Sequence, residues 1–137
     1  MYVKRVFYDD LSNPNNYFFH EINESDWNDI LKIIKGMDGQ LISQITMDNG
    51  DEDNYLCIGG GNNGLFNLYI SLDDNSKIYT LINSNPIKSK MNKLVTGGQE
   101  AYFEDYICVE IKAILEVAKF YYETGEVLDK YNWEILD

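Results

Sequence analysis

The chain has 137 residues, of which 45% are hydrophobic and 14% aromatic, and its formal net charge is −12. Length and apolar content suit a single domain spanning residues 1–137 with one core, and they exclude a disordered chain. The charge excludes a nucleic-acid or anionic-lipid ligand, because binding phosphates needs Lys and Arg to displace counterions. It suits a basic partner, or it serves solubility alone.

Tyr2 to Tyr8, β-branched and aromatic, predicts an opening strand, and "DDLSNPNN" interrupts it. "YFFHEI" predicts a short second strand. In "NESDWNDILKIIKGMDG" the residues Trp27, Ile30, Leu31 and Ile34 recur at helical spacing. Asn23 or Ser25 can cap that helix, and Gly36 ends it.

"QLISQITMDNGDEDNYLCIGG" predicts two strands joined by an acidic turn at Asn49-Gly50. "LFNLYISLDDNSKIYTLIN" predicts another pair, turning at Asp73 to Ser76. "SNPIKSK" reads as a loop with a local basic cluster of Lys88, Lys90 and Lys93, and "MNKLVTGG" as a strand ending at Gly97-Gly98. A second helix is expected from about Ile107 to Thr124. Its core stripe would be Ile111, Ile114, Leu115, Ala118 and Tyr122, with Gly125 as cap. Trp133 falls in a final strand. The fold class is therefore α+β, a mainly antiparallel meander sheet packed against two helices.

Gly59, Gly61 and Gly64 spell G-x-G-x-x-G after an apolar strand, the pattern of a dinucleotide-binding turn. That chemistry needs a helix to follow, whose N-terminus hosts the pyrophosphate. "LFNLYISL" alternates as a strand instead, so the glycines are expected to form a hairpin connection. His20 is the only histidine, and a packed or hydrogen-bonded role suits it better than that of a general base. Cys57 and Cys108 lie in apolar stretches without a His or CxxC partner, as two buried free thiols or one disulfide. "DNGDEDN" lacks the ligand spacing of a calcium loop and reads as a solvated acidic turn. No catalytic, cofactor-binding or metal-binding residue is expected.

The second half carries a series of landmarks: Gly59 to Gly64, Gly97-Gly98-Gln99, Tyr121 with Thr124-Gly125, and Trp133. Their order and spacing over roughly residues 55 to 135 resemble the deaminase-associated immunity proteins of bacterial polymorphic toxin systems, immunity family one. The chain departs from that pattern at Leu128 and Asp129, where relatives often carry Pro. The resemblance implies a protein that is not an enzyme and that neutralises a cognate toxin, a nucleic-acid deaminase or a nuclease, by occluding its basic cleft.

"MYVKRVFYDD" lacks the apolar segment of a secretion signal, and no apolar run approaches the ~20 residues needed to span a bilayer. The expected location is the cytoplasm. The expected contact residues are Asp48, Asp51, Glu52, Asp53, Asp73 and Asp74 on the acidic turns, with Glu100, Glu104 and Asp105 beside Tyr102. Two alternatives stay open. One is a small enzyme using the Gly59 to Gly64 loop and His20; the other is an acidic adaptor for a basic partner unrelated to toxins.

Overall fold

A computed structural model describes residues 1–12, 18–24 and 26–137. Ser25 as a helix cap, Tyr17 of the predicted second strand and residues 13–16 of the predicted break lie outside the described residues. Among the described residues, ten strands and two α-helices follow one another in chain order. β1 (Arg5–Asp10) and β2 (Phe18–Asn23) precede α1 (Trp27–Lys35). β3 (Gln44–Asp48), β4 (Tyr55–Gly60), β5 (Leu65–Leu72) and β6 (Lys77–Leu81) come next, then β7 (Met91–Thr96) and β8 (Gln99–Glu104). The two-residue β9 (Val109–Glu110) leads into α2 (Ile111–Thr124), and β10 (Trp133–Leu136) closes the chain.

The main sheet runs β10-β6-β5-β4-β3-β1-β2, every pairing antiparallel, and β9 adds to the start of β5. The architecture is α+β. β3 to β6 form the predicted meander, whereas β3 pairs with β1 and leaves β2 at the edge. β7 and β8 form a separate two-stranded sheet.

Alternation assigns the two faces of the main sheet, because directly paired residues point the same way. Val6, Ile45, Met47, Leu56, Ile58, Leu68, Ile70 and Leu81 share one face and are fully buried. They form one cluster with Ile30 and Ile34 of α1 and Ile114, Val117, Ala118 and Tyr121 of α2. Each such aliphatic side chain contributes roughly 1.5–3 kcal/mol on burial. The opposite face carries Arg5, Phe7, Thr46, Tyr55, Cys57, Gly59, Asn67, Tyr69 and Ser71.

Three local expectations are corrected. The cap of α1 is Asp26, whose Oδ1 accepts from the Asp29 N–H at 3.0 Å, while Asn23 belongs to β2. The second helix begins at Ile111 rather than Ile107, after a 3-10 turn at Asp105–Ile107 and β9. Ile111 is exposed, and the buried stripe runs Ile114, Val117, Ala118, Tyr121, Tyr122. Gln99–Glu104, unassigned by the sequence, is a strand. Gly125 ends α2 in a left-handed conformation, its N–H donating to the Tyr121 carbonyl.

Candidate protein-binding face

The β3–β4 and β5–β6 connections lie at the same end of the sheet, because β4 and β5 are paired and Tyr55 stands opposite Ser71. Acidic turns some twenty residues apart in sequence thus become one cluster. Asp51, Asp53 and Asp74 are exposed and place carboxylate oxygens within 4.8 Å of one another. Asparagines hold them there. Asn54 donates from Nδ2 to Asp51 (2.7 Å) and Asp74 (3.2 Å), and Asn75 donates to Asp53 (2.9 Å). The Ser71 hydroxyl, beneath, donates to Asn75 Oδ1 at 2.6 Å. Hydrogen bonds from the Asp53 N–H and from Asn54 hold the Asp51 carboxyl below the usual range. Glu52 and Asp73 are exposed beside the cluster.

Asp48 does not join it. Its carboxylate is buried and accepts both Nε (2.9 Å) and Nη2 (3.0 Å) of Arg5, as well as the Gly50 N–H (2.9 Å). A bidentate pair of this kind is fully used internally. Asp105 is likewise buried, so the expectation of surface carboxylates at positions 48 and 105 is corrected. Asp105 accepts the Ile87 N–H and Asn92 Nδ2, both at 2.8 Å, and these bonds lower its pKa.

Near the other end of β4 sits the β7–β8 hairpin, and the glycine motif is its socket. Gly59 and Gly60 are the last residues of β4, Gly61 turns the chain, and Asn62–Gly64 makes one 3-10 turn before β5. The motif is a hairpin connection, as its sequence context predicts. It is also a point of close approach. A Cβ on Gly59 would overlap the Thr96 side chain, and one on Gly61, at φ +98°, would overlap the Met37 carbonyl. Asn62 Oδ1 accepts the Val95 N–H at 2.9 Å, and buried Leu94 packs at Gly60. The Gly98 N–H donates to Ser43 Oγ at 3.0 Å, and that hydroxyl donates to the buried Asp9 carboxylate. Asp105 holds the base of the hairpin, its N–H donating to the Lys90 carbonyl at 3.0 Å.

Register divides the hairpin into two faces. Leu94 and Thr96 point inward, and their partners Ala101 and Gln99 share that face of the ribbon but are exposed. Met91, Lys93 and Val95 point outward with their partners Glu104, Tyr102 and Glu100. Tyr102 is 69% exposed. Between the hairpin and the acidic end, the sheet presents half-buried Phe7, Tyr55 and Tyr69; the two Tyr rings meet edge to face at 5.9 Å. Sequence reasoning did not single out these three as surface aromatics. Their alternation against core-facing neighbours is the signal that could have found them.

The remaining candidates are dispersed. His20 Nε2 lies 3.3 Å from Asp10 Oδ2, and its ring stacks on Tyr8 with centroids 5.0 Å apart. It belongs to the cross-sheet row His20, Tyr8, Ile45, Ile58. Three strand spacings, about 14 Å, therefore separate it from the glycine turn. An open cleft of about 720 Å³ beside the start of α2 is lined by Asn83, Asp105, Cys108, Lys112, Lys130 and other side chains, but by neither His20 nor Gly59 to Gly64. Cys57 and Cys108 are free and buried, and burial pushes the Cys57 thiol up to about 12. Among the described residues, no helix is long and apolar enough to cross a membrane.

No protein-family model matches the chain, and no curated protein matches it either.

Proposed function

We propose that this chain is a cytoplasmic immunity protein that binds a cognate toxin domain and neutralises it by occluding a basic cleft. One observation carries the reading: a chain of net charge −12 converges its exposed acidic turns into a single end of the sheet. A toxin acting on nucleic acid, whether deaminase or nuclease, needs a positively charged substrate groove. An acidic surface complements such a groove and speeds encounter through long-range attraction. The landmark residues add to the reading. Gly59 to Gly64 and Gly97-Gly98 seat the hairpin, and the Trp133 indole N–H donates to the Leu128 carbonyl at 2.9 Å, tying the last strand down.

The test is co-expression with the toxin domain encoded beside this chain, scored by survival and by copurification. Protection together with a stoichiometric complex is the expected result, and absence of both rejects the proposal. The same acidic surface also fits an adaptor for a basic partner unrelated to toxins. A metabolic gene neighbourhood in place of a toxin gene favours that second reading.

A further inference from the structure

The excess of negative charge is unevenly distributed. Between Pro86 and Tyr106 three lysines, Lys88, Lys90 and Lys93, balance three acids, Glu100, Glu104 and Asp105. The whole net charge of −12 therefore arises elsewhere in the chain. This balanced segment is the one that carries Ile87, Met91 and Tyr102, all at least half exposed. Met91 and Tyr102 lie on the outward strand face and Ile87 on the loop that leads into it. Large exposed apolar side chains on a charge-balanced segment mark a contact surface.

We infer that the outer face of the β7–β8 hairpin is the anchoring surface for the basic partner, with Tyr102 as its central residue. The inference rests on the immunity reading above and assigns its two patches different tasks. The Asp51, Asp53 and Asp74 end attracts the partner, and the hairpin holds it.

Charge fixes the occupant. On β8, Glu100 and Glu104 flank Tyr102 on either side, about 7 Å in each direction along the strand. Lys93, across from Tyr102, lies 3.5 Å from Glu100, which leaves Glu104 as the flanking carboxylate open to a partner. The complement is an apolar recess for a phenol ring with a Lys or Arg on the Glu104 side, within a positively charged protein. A second copy of this chain is disfavoured, because it would bring two bodies of charge −12 together. The hairpin is also held in place before binding. Asn62, Ser43 and Asp105 bond its backbone at the middle, the turn and the base. An anchor already ordered loses little conformational freedom on docking.

The experiment measures association and dissociation rates between this protein and the purified toxin domain encoded beside it, across a salt series. It compares the wild type, Tyr102→Ala, and the triple Asp51→Asn/Asp53→Asn/Asp74→Asn. Tyr102→Ala should raise the dissociation rate about thirtyfold with little change in association. The triple variant should slow association several-fold and flatten its salt dependence while dissociation holds. No complex with the wild type rejects the immunity reading and this inference with it. A wild-type complex whose dissociation Tyr102→Ala leaves within about twofold overturns the hairpin anchor alone. Concentration-dependent self-association that Tyr102→Ala abolishes also overturns it, by showing a second copy to be the occupant. Tyr102 is exposed, so its truncation leaves the core intact.

Discussion

The acidic end and the β7–β8 hairpin are both solvent-facing and both outside the main core, yet they are held by opposite means. At the acidic end, exposed like charges are crowded together and held by asparagine amides, with the Ser71 hydroxyl the one buried group beneath that bonds to them. The hairpin is close to neutral and is held by buried groups: glycines that admit it, a serine backed by a buried aspartate, and Asp105 beneath. Charge that acts at long range tolerates loose placement, whereas a contact that must fit needs fixed geometry. The contrast predicts that stability is concentrated under the hairpin and is nearly absent from the acidic end.

The strongest challenge is Gly61→Val. It forces a β-branched residue to φ +98° and into the Met37 carbonyl. Strain and overlap together should cost about 3–5 kcal/mol, read by urea denaturation. An effect under about 1 kcal/mol would show that the turn is not a fixed joint.

Gly59→Ala should cost less, about 1–3 kcal/mol, because its clash is with the Thr96 side chain. Hydrogen exchange should then show protection lost across β7 and β8 while β3 to β6 keep theirs, and Thr96→Ser should restore part of it. Uniform loss across the molecule would contradict a separately seated hairpin.

Asp105→Ala leaves the Ile87 N–H and the Asn92 amide without their acceptor, at about 1–3 kcal/mol. The wild type has a matching pH signature. The folded-state pKa of Asp105 lies below its unfolded value, so its contribution is complete above about pH 4. It is lost as pH falls through the folded value. Acidification should therefore loosen the base of the hairpin, and the slope of stability with pH in that range should diminish in Asp105→Asn.

The smallest effect belongs to the acidic end. Neutralising Asp51, Asp53 and Asp74 to Asn should change stability by no more than about 0.5 kcal/mol, judged by thermal melting. A loss of several kcal/mol would make that end structural and erase the contrast.

What the sequence reveals of this molecule follows the range of the interactions involved. Strands β3 to β6 are legible because one face is buried, which forces apolar residues to alternate. β8 is not legible, since "QEAYFE" is exposed at every position except Phe103 and no alternation is imposed on it. The start of α2 is misjudged because "YICVEI" is a short apolar run that periodicity alone cannot assign. At the candidate face, the acidic turns are legible as exposed features, whereas the exposure of Tyr102 is shown by the structure. Asp48 cannot be told from Asp51 by composition, because what buries it is Arg5, 43 residues away. Asp105 is hidden for the same reason: its acceptor role depends on how residues 83 to 92 fold back over it.

Neither β7 nor β8 supplies a core of its own: Leu94 is the single buried hydrophobic side chain on the two strands. A two-stranded ribbon with so little to bury is marginal in water. Residues 90–105 excised as a free peptide should therefore be a random coil that presents no ordered Tyr102. Any mimic of this arm has to bring its own brace, either a macrocycle closing both strand ends or a host scaffold in which the glycine cradle of β4 is rebuilt beneath it.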